Sequence, residues 1–247
     1  MIKKTVLFLF IVLMLIIQFD NTRASTLELE MQDKSQIDSQ ELVGNLNLKM
    51  FFDEPKKTSF DYFDVAENGN IAVCRTADNL VCIYSATGDF LYGYSFTCYG
   101  HFVARFREDC IDIYFVRGDY LVSIDASGNV LKVATILDSN NNYSIISDLL
   151  RVTHIDIGEF SYYLKNDMGL LNWIANDWSQ IVVLDRETGN EKILYDANQS
   201  QIINTTSGMV IFSSLFFISV FGTVKEFKKR SKINCLEKAT VPIVDRD

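Results

Sequence analysis

From Leu42 onward the chain alternates short runs rich in Val, Ile, Phe and Tyr with clusters of turn residues. The turn clusters recur roughly every 8–12 positions, the spacing of an all-β chain of short antiparallel strands. The first set is the clearest. Phe60 to Val65, Ile71 to Arg75, Leu80 to Tyr84 and Phe90 to Phe96 read as four strands, separated by Glu67-Asn68-Gly69-Asn70, Ala77-Asp78-Asn79 and Ala86-Thr87-Gly88-Asp89. Asn-Gly in the first turn is a strong hairpin signal, because both residues tolerate positive φ. The stretch Ile145 to Ile157 fits either a strand pair or a short helix. Residues 25–41 are polar and read as a stalk, so the ordered domain is expected to start near Leu42.

One element of this pattern repeats. Val81 to Leu91, Leu121 to Leu131 and Ile181 to Leu194 each consist of a β run, a polar residue, a short turn ending in Gly, another polar residue and a second run. The glycines are Gly88, Gly128 and Gly189; the first two lie 40 residues apart and the third 61 further on, one period plus an insertion. Ile124-Asp125-Ala126-Ser127-Gly128-Asn129 and Leu184-Asp185-Arg186-Glu187-Thr188-Gly189-Asn190 carry an Asp that caps the turn ahead of a left-handed Gly, and Tyr84-Ser85-Ala86-Thr87-Gly88-Asp89 has Ser in its place. Over residues 58–196 this hairpin resembles the outer hairpin of a β-propeller blade of the NHL-like and quinoprotein-like type. The resemblance implies four-stranded antiparallel blades at about 58–97, 98–137 and 143–196. Three blades are fewer than the four a propeller ordinarily needs to close. Leu42 to Phe52 is expected to supply strands to a further, incomplete blade; otherwise the sheets form an open stack, or close with a partner chain as a homo-oligomer.

Two apolar runs break the β pattern. Lys3 and Lys4 precede Val6 to Phe19, and Thr22-Arg23-Ala24 offers a cleavage site, so residues 1–24 read as a signal peptide or a retained signal anchor. Ser207 to Val224 contains no charge and is followed by Lys225, Lys228, Lys229, Arg230 and Lys232. With Ile202 and Ile203 extending it, residues 202–224 read as a transmembrane helix, and the basic cluster places residues 225–247 as a cytoplasmic tail. The expected organisation is then a polar stalk at 25–41 and an extracytoplasmic propeller-like domain at 42–200, on a single-pass chain, or a two-pass chain if the signal is retained.

Charge sharpens this division. Ser25 to Thr206 carries 27 Asp and Glu against 13 Lys and Arg, whereas Lys225 to Asp247 carries 4 against 7. An acidic domain of this balance excludes phosphate-driven nucleic-acid binding. Cys74, Cys82, Cys98 and Cys110 fall in the proposed external domain and Cys235 in the tail. An even external number fits disulfides, with 74–82 and 98–110 as the expected pairs, although small buried thiols in strands fit equally well.

The chain has no Gly-x-Ser-x-Gly, P-loop, dinucleotide fingerprint or His-Glu-x-x-His, and its two histidines, His101 and His154, sit in strand contexts. No catalytic residue, cofactor or metal site is assigned, although Asp61, Asp64, Glu108, Asp109 and Asp112 are the carboxylates a propeller-type hydrolase or lactonase would use in a central channel. The candidate recognition residues are Trp173 and Trp178, in an insertion of the third unit, with Tyr162 and Tyr163. The expectation is a membrane-anchored binding protein with a protein or carbohydrate partner outside. A propeller-type enzyme and an accessory or sensor subunit of a membrane complex are the alternatives.

Overall fold

The computed structural model describes residues 29–108, 110–174 and 177–216. Strand β1 (Met31–Asp33), helix α1 (Gln36–Leu46) and strand β2 (Lys49–Phe51) come first. Three meanders follow. The first is β3 (Tyr62–Val65), β4 (Ile71–Arg75), β5 (Leu80–Tyr84) and β6 (Phe90–Ser95), and the second is β7 (Phe102–Arg107), β8 (Cys110–Phe115), β9 (Tyr120–Asp125) and β10 (Val130–Ile136). After helix α2 (Asn140–Leu149), the third is β11 (His154–Ile157), β12 (Phe160–Lys165), β13 (Gln180–Asp185) and β14 (Glu191–Asp196). Every pairing is antiparallel. Sheet I has the order β2-β6-β5-β4-β3, sheet II β1-β10-β9-β8-β7, and sheet III β11-β12-β13-β14.

The repeated hairpin forms in all three sheets. Gly88, Gly128 and Gly189 take φ of 90°, 86° and 71°, the region that only glycine enters without strain. Asp125 Oδ1 accepts the amides of Ser127 (2.9 Å) and Asn129 (2.8 Å), and Asp185 Oδ1 accepts those of Glu187 (2.9 Å) and Thr188 (3.1 Å). Ser85 Oγ performs the same job, accepting from Thr87 (3.2 Å) and Asp89 (3.1 Å), so the copy without Asp keeps the turn. A second correspondence falls between the middle strands of sheets I and II. Each turn there is a short 3-10 segment, Thr76–Asp78 and Val116–Gly118, that ends on a left-handed residue, Asn79 or Asp119.

Sheet I lies at the middle of the stack. On one face Ala72, Cys74, Val81, Ile83 and Tyr94 meet Phe102, Ala104, Ile113, Val122 and Ile124 of sheet II. On the other, Phe63, Val65, Ile71, Val73, Cys82 and Tyr84 meet Ile155, Tyr162, Leu164, Ile181, Leu194 and Tyr195 of sheet III. Val103, Tyr114 and Leu121 of sheet II pack on their far side against Leu29 and Ile145. The period-2 alternation of each strand therefore serves two cores at once, which is why β4 is buried along its whole length. The three sheets stack in the order II, I, III and do not close into a ring.

Three of the sheet edges are occupied. β1 pairs with β10 and β2 with β6, so the N-terminal segment covers the outer edges of sheets II and I. This corrects two expectations. Residues 31–33 and 36–41 are strand and helix, not stalk, and Leu42 to Phe52 adds one strand to sheet I instead of starting a further blade. The inner edge of sheet II is covered by side chains: the amides of Ala104 and Phe106 in β7 donate to Cys74 Sγ (3.2 Å) and Asp64 Oδ2 (2.7 Å) of sheet I. Sheet III joins sheet I through an isolated bridge in which Phe60 and Trp178 exchange amide–carbonyl bonds of 2.9 Å each way. Asn142, which begins an Asn-x-Ser triplet, is 2% exposed. Its side chain accepts the amide of Glu30 (2.9 Å) and donates to the carbonyls of Glu30 (2.9 Å) and Leu137 (2.7 Å), clamping Glu30 onto α2 and leaving no room for a glycan.

Residues 198–216 are helical, and those from Gln201 belong to a second unit. Met209, Val210, Ile211, Phe212 and Leu215 of that unit are exposed. Among the described residues no helix is long and apolar enough to cross a membrane. The last third of the expected span, residues 217–224, the tail at 225–247 with Cys235, and the signal segment at 1–24 all lie outside the described residues.

Two of the turn glycines separate backbone strain from packing. A Cβ on Gly189 has nothing within 4 Å, whereas one on Gly88 stands 2.6 Å from the carbonyl oxygen of Leu194 in sheet III. Gly189→Ala is expected to cost ~1–2 kcal/mol from positive φ alone. Gly88→Ala should cost ~1–3 kcal/mol more, because the added methyl meets backbone rather than a movable side chain. Chemical denaturation of the two variants gives the difference; equal costs would mean that sheets I and III are not packed as described.

Candidate binding cleft and neighbouring side-chain clusters

Helix α1 builds one wall of a cleft. Ser35 caps its start, accepting the Asp38 amide at 3.2 Å and donating its hydroxyl to Asp38 Oδ2 at 2.7 Å. Asn47, at φ 47°, ends it with its amide on the Gly44 carbonyl. Leu42, Val43 and Leu46 pack against the core between sheets I and II. Asp38, Glu41, Leu42, Asn45 and Leu46 recur at i, i+3, i+4, i+7 and i+8, one helical face, and all five line the cleft. The opposite wall is the β6–β7 connection, with Cys98, Tyr99 and His101, and the β8–β9 turn, with Arg117 and Tyr120. The cleft is open to solvent and has a volume of about 840 Å³.

The floor is apolar and aromatic. Leu46 and Phe115 are buried, Phe115 stacks on Tyr120 at 4.7 Å between ring centroids, and Phe96 meets Phe115 edge-on at 5.2 Å. The walls are polar and carry both signs of charge, with Lys34, Asp38 and Glu41 on the side of α1 and Arg117 across from them. Tyr99 stands 82% exposed at the rim. Tyr62 Oη lies 3.2 Å from His101 Nδ1, and burial, with Asp61 adding to it, pushes the Tyr62 phenol up to about 12, so it stays neutral. Cys98 donates its thiol proton to Asn79 Oδ1 at 3.0 Å, and burial raises its pKa above the ordinary thiol value. A protonated thiol is a poor nucleophile. The cleft has the make-up of a binding site: an apolar floor for an inserted ring or side chain and charged walls to orient it.

The four recognition candidates separate. Trp173 is 82% exposed in the 3-10 segment Gly169–Ile174. Trp178 instead pairs with Phe60 and packs into the core between sheets I and III. Tyr162 is buried in that same core. Tyr163 is half-buried on the other face of sheet III, where burial and a hydrogen bond with Glu191 raise its hydroxyl to about 12. The strand alternation at Tyr162-Tyr163 sends the two rings to opposite faces, so they cannot act together.

The cysteine pairs expected from the sequence do not form. Cys82 lies opposite Val73 in the β4–β5 register, so Cys74 and Cys82 point to opposite faces of sheet I, one into each core. Cys98 lies ahead of β7, whereas Cys110 faces Arg107 at the far end of the β7–β8 hairpin, five rungs along, roughly 17 Å away at strand rise. Burial raises both core thiols, that of Cys82 to about 11 even with Arg75 beside it.

The channel carboxylates are dispersed in the same way. Asp61 Oδ2 accepts the amide (2.8 Å) and hydroxyl (2.6 Å) of Thr76; Asp64 holds the Phe106 amide; Asp112 accepts from Ser123 at 2.5 Å and lies 3.6 Å from Arg107; Glu108 occupies a turn at φ 42°. Asp109 lies outside the described residues. Among the described residues no three His, Cys, Asp or Glu side chains come together as a metal site. On sheet III, His154 Nε2 lies 2.8 Å from Asp156 Oδ1 and 3.3 Å from Ser161 Oγ, and Ser161 donates directly to the same carboxylate oxygen. A relay needs the imidazole to bridge base and orienting group through its two different nitrogens. Here one nitrogen faces both, so the cluster is a structural knot. Burial opposes the Asp156 charge, but the Ser161 and His154 hydrogen bonds and nearby Arg186 outweigh it and hold its pKa below the usual carboxylate value.

Reading 25–41 as a stalk hid the cleft wall. Its signals were present in Ser35-x-x-Asp38, an N-cap pattern, and in the helical spacing of Leu42 and Leu46 behind Asp38 and Glu41.

Maleimide labelling of the folded protein should modify Cys98 well ahead of Cys74 and Cys82, with the latter two reacting only on unfolding. A Cys74–Cys82 disulfide recovered from protein oxidised without unfolding would contradict the register of β4 and β5. No protein-family model matches this chain, and comparison with curated proteins finds no match.

Proposed function

We propose that this protein is a membrane-tethered binding protein whose propeller-type β sheets stand outside the cytoplasm and take a protein or carbohydrate partner in the cleft beside α1. The observation that carries this reading is the cleft itself, with rings on its floor and rim and charges of both signs on its walls. Aromatic faces stack on sugar rings or apolar side chains, and a paired acidic and basic rim fixes orientation. The propeller-type assignment is supported by the 40-residue spacing of Gly88 and Gly128 and by the hairpin those glycines and Gly189 share. The tether is supported by the uncharged sequence from Ala197 to Val224, by the basic residues that follow, and by the solvent-facing apolar side chains from Met209 to Leu215. Lipid is the surrounding that would take up such side chains. The basic tail then anchors the span on the cytoplasmic side.

The test uses the full chain in lipid nanodiscs on glycan and peptide arrays. The expected result is a retained ligand class whose binding Tyr99→Ala with Arg117→Glu weakens by tenfold or more, about 1.4 kcal/mol. Both side chains sit at the rim, so the pair should leave folding stability nearly unchanged. Binding that the pair leaves untouched moves the site away from this cleft. Turnover by the purified protein, or a tightly held divalent ion, overturns the binding-protein reading.

A further inference from the structure

The connection between β12 and β13 carries an apolar tip that no part of the β stack buries. Gly169–Ile174 forms a 3-10 turn in which Leu170 is 89% and Trp173 82% exposed. With three residues per turn, side chains at i and i+3 eclipse, so Leu170 and Trp173 stand on one side as a single apolar knob. The base of the connection is built to hold that knob still. Met168 is buried, and its amide donates to Asn172 Oδ1 at 2.8 Å. Asn166 accepts the Ser179 amide at 2.8 Å and donates to the Asp177 carbonyl at 3.0 Å. An exposed Trp held on a fixed base is a surface prepared for contact.

The register of sheet III shows which way it faces. Lys165, Gln180 and Asp196 lie side by side at one end of β12, β13 and β14. The connection 166–179 therefore leaves the sheet at the same end as the chain does after β14. Asn198 joins the two: its Oδ1 accepts the Asp167 amide at 3.2 Å and the Ser179 hydroxyl. Asn198 falls just ahead of Ile202 in the sequence, inside the stretch from Ala197 to Val224 that holds no charge.

We propose that the Leu170–Trp173 tip is a second membrane contact, seated in the interfacial layer of the outer leaflet and placed at the end of sheet III from which the chain leaves β14. This rests on the tether reading. Trp is the side chain best suited to that layer, with an apolar ring and one N–H donor for the headgroup region. The polar neighbours favour a zwitterionic over an anionic surface. Asp167 and Asp177 flank the tip, and Asp196 and Lys165 lie at its base. Contact is by apolar insertion, and it is insensitive to salt.

Full-length protein in phosphatidylcholine vesicles tests this. Trp173 emission is isolated as the difference between wild type and Trp173→Phe, which avoids altering core-packed Trp178. Lipids with a doxyl quencher high on the acyl chain should quench Trp173 and blue-shifted emission should accompany it, unchanged in high salt; Leu170→Asp should abolish both. If the protein floats with the vesicles while Trp173 is quenched by iodide and not by doxyl lipid, the tip lies in water and this proposal fails with the tether intact. If Trp173 is shielded from both quenchers, a protein surface covers the tip and the lipid assignment is overturned. If the protein does not float with the vesicles, the tether reading fails and this contact with it.

Discussion

An antiparallel sheet that does not close on itself leaves a row of backbone donors and acceptors at each edge, and those groups are a template for aggregation unless something occupies them. Sheet II meets this constraint most sharply. Its inner edge, β7, is pressed against sheet I, where water cannot serve, and the amides of Ala104 and Phe106 need partners there. Sheet I supplies them from side chains, Cys74 Sγ and the Asp64 carboxylate. The second is charge-assisted, and burying Asp64 at 4% exposure is tolerable because its oxygen is occupied. The relative placement of sheets I and II follows from these two bonds as much as from the apolar packing around them.

The same constraint explains the N-terminal segment. The outer edges at β6 and β10 are taken by β2 and β1. With those two strands pinned on neighbouring sheets, the residues between them must cross from one to the other, and they do so as α1. The cleft is the space left beneath that crossing. Structure and candidate function are thus linked: the device that protects two sheet edges also supplies a wall with Asp38 and Glu41 facing Arg117. At the other end of the stack, α2 covers the far face of sheet II with Ile145, and Asn142 fastens Glu30 onto it.

The strands were legible in the sequence because their turns carry their own chemistry. Gly88, Gly128 and Gly189 must adopt positive φ, and Asp125, Asp185 and Ser85 cap the turns locally, so a few residues specify each hairpin without help from the fold. What stayed hidden depends on contacts distant in sequence. Nothing in residues 25–41 announces that Met31–Asp33 will find β10 a hundred residues on, because a three-residue edge strand has too few side chains to show a period. The disulfide expectation failed for a reason of parity: Cys74 and Cys82 are close along the chain, but the β4–β5 register puts Cys82 on the face of Val73. Trp173 and Trp178 show the same limit. They are near neighbours of one type, yet only Trp178 finds a backbone partner in Phe60 and is drawn into the core.

Amide hydrogen exchange of the full chain reaches the centre of this picture. Lys34 donates its amide to the Val133 carbonyl at 3.1 Å, and Gln32, opposite Thr135, has the same pairing parity. If the N-terminal segment is an edge strand and the cleft wall is docked, the amides of Gln32 and Lys34 and those of α1 exchange far more slowly than free chain, approaching the protection of β10. Exchange at the rate of unstructured peptide across residues 30–46, beside protected β6 and β10, would mean that the edges are bare, and the cleft would then be absent.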